Sequence, residues 1–90
     1  MGLLTRTPAT DGATTITAHL LFDQFEAGTP MRLVAFPGNP SDTTVRPHRG
    51  TWPLIIGVVL DGDHVLVIAE DKPGWSYTVT RQQAVQVLPA

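Results

Sequence analysis

The sequence predicts a small, mainly β fold. Three observations indicate it: apolar runs of strand length, tight-turn residues between those runs, and a content of 8 Gly and 8 Pro in 90 residues. The turn residues are Asp61-Gly62-Asp63, which is typical of a β-hairpin, and Asp71-Lys72-Pro73-Gly74, which is typical of a type II turn. A chain of this length has room for one domain and a tail, but not for two cores.

The N-terminal part of the chain divides into two segments. Residues 1–15 are rich in Thr, Ala and Gly, with too little apolar surface to offset the entropy of ordering, so we expect a flexible, partly disordered tail. Residues 16–28 contain large apolar side chains and are expected to pack against the domain. Alternation at the start of this segment favours a strand, whereas Leu21 and Phe25, four residues apart, favour a helix. The sequence leaves both open for residues 16–25.

Residues 29–90 are predicted to form the folded domain. Its five expected strands are 31–36, 53–60, 64–70, 75–79 and 85–88. The longest connection lies between the first two strands, and residues 80–84, too few for a stable α-helix, are expected to form one helical turn before the last strand.

This order of elements resembles the SH3-like small β-barrel, in which the first connection is long and one helical turn precedes the final strand. The resemblance covers residues 29–88 and is one of topology. The Ala-Leu-Tyr-Asp-Tyr run and the paired Trp of the peptide-binding SH3 family are absent. The resemblance implies a five-stranded barrel and no catalytic residue.

The central two strands are apolar on both faces, where a strand facing water would alternate. Full burial of one such side chain stabilises a protein by roughly 1.5–3 kcal/mol. We therefore expect the outer face of this sheet to be covered, either by residues 16–25 or by a second subunit. The residues predicted on that outer face are Ile55, Val59, Leu66 and Ile68.

The long loop, residues 37–52, contains the candidate binding site. It concentrates positive charge and an aromatic side chain in a protein whose net charge is −2. Long loops without regular structure are often functional, and Arg and Trp are the side chains most enriched at interface hot spots. The candidate binding residues are Arg46, His48, Arg49 and Trp52.

The sequence lacks the patterns that catalysis and metal binding require. It contains no cysteine, which excludes thiol nucleophiles and disulfides and leaves the redox compartment undetermined. The three histidines, His19, His48 and His64, have no metal-ligand spacing, and the acidic turn at Asp61 and Asp63 lacks the spacing of a calcium loop. We expect no metal, no cofactor and no enzymatic activity.

Taken together, these features predict a non-catalytic protein-interaction module or small accessory or inhibitory subunit, by analogy with small proteins of phages and mobile elements. Its expected partner is a protein with an acidic or mixed surface. Two alternatives remain: a nucleic-acid-binding domain, which the six Lys and Arg residues and the net charge do not favour, and an oligomeric enzyme with an intersubunit site. No secretory or membrane-spanning pattern occurs, so a cytoplasmic protein without a membrane partner is expected, and a homo-oligomer stays open.

Overall fold

A computed structural model of the chain describes residues 8–39, 44–47, 49–70 and 75–90. It contains six strands and one helix in this part of the chain. In chain order they are β1 (Thr14–Thr17), α1 (Ala18–Glu26), β2 (Met31–Ala35), β3 (Ile55–Asp61), β4 (His64–Ala69), β5 (Trp75–Thr80) and β6 (Ala84–Pro89).

The strands form two three-stranded antiparallel sheets. In the first sheet β6 lies between β1 and β2, and in the second β4 lies between β3 and β5. A narrow link joins the sheets, where an isolated bridge pairs Arg32 with Leu54 and the Leu33 N–H donates to the Pro53 carbonyl at 2.8 Å. The strand ladders of the described residues therefore do not close into a barrel.

The predicted mainly β class is confirmed, but the described residues form six strands in two sheets rather than five strands in one barrel. The additional strand is β1, which pairs with β6 so that Thr14 lies opposite Val87 and Ile16 opposite Val85. Thr14 belongs to the segment expected to be a tail. Threonine is β-branched and fits a strand well, so a segment with little apolar surface still extends the ladder.

Residues 16–25 adopt both of the structures left open by the sequence, one after the other. The strand ends at Thr17, whose side-chain oxygen accepts a hydrogen bond from the Leu20 N–H at 3.1 Å and so caps the helix that begins at Ala18. Ala18 and Leu21, three residues apart, are fully buried. The helix is followed by Gly28, whose φ of +88° is left-handed and suits the end of a helix.

The β3–β4 hairpin forms as predicted, and its backbone angles identify the turn. Asp61 lies opposite His64, which leaves a loop of two residues. A type I′ turn needs positive φ at both loop residues, but only Gly62 has one (+61°), since Arg49 is the sole described non-glycine residue with positive φ. Glycine at the first loop position is the pattern of a type II′ turn.

The helical turn expected at residues 80–84 is present only as one hydrogen-bonded turn, in which the Gln83 N–H donates to the Thr80 carbonyl at 3.1 Å. Ala84 already belongs to β6 and pairs with Thr17, so the turn does not extend into a helix. The turn predicted at residues 71–74 lies outside the described residues.

A β-bulge determines which apolar side chains of β3 are buried. The register pairs Ile55 with Ala69 and Gly57 with Ile68, so two steps along β3 match one step along β4. This extra residue reverses the alternation of side chains at that point. As a result Ile55 and Val58, three residues apart, both face the interior and are each 4% exposed.

The outer face of the β3–β4 hairpin is open in the described chain, so the expected cover by residues 16–25 is wrong. That segment packs into the interior instead. Ile56 and Val59 are 55% and 47% exposed, while Leu66 and Ile68 are half-buried. Cover of these four residues by a second subunit stays a prediction.

We expect the substitution Val58→Asp to unfold the domain, because it places an unpaired carboxylate in the core at a cost of several kcal/mol. Val59→Asp is the matched control, since it makes the same change one residue further along β3 on the exposed face. Urea unfolding should show a change of about 1 kcal/mol or less for the control. Equal losses in the two variants would contradict the assigned faces of β3.

Candidate binding site

The loop 37–52 is held to the domain by buried side chains. Val45, in the middle of the loop, and Trp52, at its end, are 5% and 7% exposed. Phe36, just before the loop, is also buried, and its ring lies 5.2 Å from that of Tyr77, measured between centroids. Loop residues 40–43 and His48 lie outside the described residues. The described part of the loop is therefore anchored at both ends and at one internal position.

Trp52 links three parts of the chain. Its indole N–H donates to the Ala9 carbonyl at 3.3 Å, and its own carbonyl accepts from the Arg32 guanidinium at 2.7 Å. A buried indole needs a partner for its N–H, and the segment before β1 provides it. Trp52 was predicted as a binding residue. It lies in the core, where it positions the loop and offers little surface to a partner.

Arg46 and Arg49 are both exposed on this loop. Within the described ranges, neither guanidinium forms an ion pair with a carboxylate, and the single ion pair found there joins His19 and Asp23 on α1 at 3.8 Å. An exposed guanidinium offers a planar set of donors that matches a carboxylate or phosphate in two parallel hydrogen bonds. Of the predicted site residues that the structure describes, these two are the ones that a partner can reach.

The backbone at Arg49 is in an unusual conformation. Its φ is +54°, and Gly50, which follows it, has a φ of +79°. Two successive left-handed residues form a tight turn that is easy for glycine, whereas a side chain in this region costs roughly 1–2 kcal/mol. Arginine therefore occupies a position where glycine would relieve strain, which is a common feature of residues that serve binding.

In the portions of the chain that the structure describes, no group of three His, Asp or Glu side chains is placed to hold a metal ion. His64 is exposed at the start of β4, and Asp61 and Asp63 are exposed at the hairpin turn. Turn formation accounts for these two acidic residues.

A second group of surface residues consists of large apolar side chains. Among the described residues, those more than a third exposed are Leu20, Ile56, Val59 and Trp75, of which the sequence placed only Val59 on an outer face. Strict alternation places Ile56 with Val58, and Trp75 with Tyr77, in the interior. The bulge in β3 turns Ile56 outward. Trp75, the first residue of β5, is 39% exposed.

Comparisons with models of protein families, with curated proteins and with solved structures find no match for this chain. Over the described ranges, no helix has the length and apolar character needed to cross a bilayer. The surface chemistry of the chain is therefore the basis for a functional proposal.

We expect the substitution Arg49→Gly to leave the free energy of unfolding unchanged or to raise it by up to about 1 kcal/mol. The lost left-handed strain offsets the greater backbone entropy of glycine in the unfolded chain. Arg46→Gly, at an exposed loop position without positive φ, is the matched control and should lower stability by about 0.5–1 kcal/mol. Urea unfolding of both variants tests the conformation of the loop. A larger loss of stability in Arg49→Gly than in Arg46→Gly would contradict the left-handed backbone at position 49.

Proposed function

We propose that this chain is a non-catalytic protein-interaction module, or a small accessory or inhibitory subunit, which binds an acidic or mixed protein surface through the loop 37–52. The observation that supports this most is the exposure of Arg46 and Arg49 on a loop anchored by buried Val45 and Trp52. The proposal places the protein in the cytoplasm.

An anchored loop binds more favourably than a free one. A partner that orders a flexible segment must offset roughly 0.5–1.5 kcal/mol for each immobilised side chain, in addition to the backbone entropy. Burial of Val45 and Trp52, and the hydrogen bond from Arg32 to the Trp52 carbonyl, reduce this cost before any partner arrives. Among the described loop residues, the exposed guanidinium side chains are the groups that a partner would still have to order.

The charge distribution favours an acidic protein surface over nucleic acid. The chain has a net charge of −2, so attraction is confined to the loop and does not extend over the whole molecule. Double-stranded nucleic acid presents a dense and extended row of phosphates, which a net acidic protein with six Lys and Arg residues would repel outside the loop. A protein surface with a local acidic patch does not impose that penalty.

The SH3-like interpretation belongs to this proposal. Strands β2 to β6 occur in the order expected for that fold, and the bridge between Arg32 and Leu54 brings β2 next to the start of β3. In this interpretation β1 and α1 are additions to the five-stranded unit. The loop 37–52 then corresponds to the long first connection.

The experiment is affinity capture from a lysate of the native host, with the wild-type chain and the double variant Arg46→Ala/Arg49→Ala. We expect a nuclease-resistant protein partner that binds the double variant at least tenfold more weakly, which corresponds to about 1.4 kcal/mol. Both substituted side chains are exposed, so the melting temperature should be nearly unchanged.

The control variant is Asp11→Ala/Glu26→Ala, which also removes two exposed charges but lies outside the loop. It should retain the partner fully. Capture that is lost after nuclease treatment would favour nucleic-acid binding instead. A partner that binds the arginine double variant and the wild type equally would contradict the proposed site.

A further inference from the structure

The outer edge of β5 is a strand edge without a neighbour in the described chain. β5 (Trp75–Thr80) pairs with β4 on one side, and no described strand pairs with it on the other. Natural proteins protect such edges with charged residues, prolines or bulges. β5 contains no charged residue and no proline, and its register with β4 is continuous. Its residues are aromatic, β-branched or serine, and most of these favour strands.

One hydrogen bond shows which backbone groups face this edge. The Arg81 N–H donates to the Asp63 carbonyl at 3.2 Å, and the register that pairs His64 with Thr80 places these two residues opposite each other. Hydrogen-bonded and non-hydrogen-bonded pairs alternate along an antiparallel ladder. The backbone N–H and carbonyl groups of Ser76 and Thr78, and the N–H of Thr80, therefore point away from β4 and towards the edge.

From this edge we infer that the chain forms a homodimer in which the β5 strands of two copies pair antiparallel across a two-fold axis. An antiparallel pair of identical strands is self-complementary, as a two-fold interface requires. Centring the pair on Thr78 places Ser76 opposite Thr80 of the second copy. The backbone groups from Ser76 to Thr80 that point towards the edge then all lie opposite the β5 strand of the second copy.

The side chains at the ends of β5 also meet in this register. Trp75 lies opposite Arg81 of the second copy, and the two-fold axis repeats the pair at the other end. Trp75 is 39% exposed although Tyr77 and Val79, on the same face of the strand, are buried. The Arg81 Nε donates to the Gly62 carbonyl in the β3–β4 turn at 2.9 Å, which directs the guanidinium away from the edge. The pairing would therefore place the Trp75 ring beside the aliphatic part of the Arg81 side chain and lower its exposure.

The size of this contact sets the expected strength of the dimer. Pairing two strands of six residues along their edges buries less surface than the about 1,600 Å² of a standard stable interface. We therefore expect a reversible dimer whose population increases with protein concentration. The dimer inference uses neither Arg46 nor Arg49, so its test is independent of the test of the proposed function.

Sedimentation velocity of the wild-type chain from about 10 µM to about 1 mM, a range suited to a weak interface, should show the mass rising from monomer towards dimer. Thr78→Lys should remain monomeric, because the exposed position 78 of both copies would then carry positive charge at the two-fold axis. The matched control is Thr15→Lys, the same change at an exposed position of the edge strand β1, and it should dimerise like the wild type. Circular dichroism checks that each variant is folded.

Cross-linking tests the register independently of stability. The chain has no cysteine, so Thr78→Cys introduces a single thiol that should form an intermolecular disulfide under mild oxidation, with Thr15→Cys as the control that should not. A wild type that is monomeric up to about 1 mM, or a dimer unaffected by Thr78→Lys, would overturn the inference. The inference would also be overturned if the amides of Ser76 and Thr78 gained no protection from hydrogen exchange as the concentration of the chain rises. That result is the one expected if a different protein, and not a second copy, occupies the edge.

Discussion

The β-bulge at the start of β3 decides which apolar side chains of this strand enter the core and which reach the surface. Because side chains alternate along a strand, one extra residue exchanges the inner and outer faces of everything beyond it. It allows Ile55 and Val58 to enter the same core and turns Ile56 and Val59 outward. Gly57 occupies the bulge, where a Cβ would lie 3.2 Å from the Ile68 side chain, so a small residue suits this close contact between the two strands.

The two sheets meet just before the bulge. The residues just before it, Pro53 and Leu54, form the link to β2, and the Leu54 carbonyl additionally accepts from the Glu70 N–H at 2.6 Å. Trp52 lies directly before this link and is buried against it. The position of the loop that presents Arg46 and Arg49 is therefore fixed by the same few residues that join the sheets. Stability and the proposed binding site share one region of the chain.

The strands and the hairpin could be predicted from the sequence because their signals are local. Met31–Ala35 and the turn at Gly62 follow from alternation and from glycine's tolerance of positive φ. β1 and the bulge could not be predicted, since both depend on pairing with strands distant in sequence. Burial of Trp52 likewise depends on its hydrogen bond to Ala9, 43 residues earlier. Of the candidate site, the exposed arginines were identified from composition, whereas the free edge of β5 required the strand order.

The rate at which single cysteines in β3 react with a thiol reagent measures the effect of the bulge directly, since the chain contains no other cysteine. The bulge predicts slow reaction at positions 55 and 58 and fast reaction at positions 56 and 59. A regular strand would place positions 56 and 58 on one face and 55 and 59 on the other. Slow reaction at 56 together with fast reaction at 55 would contradict the bulge and the surface assignments that follow from it.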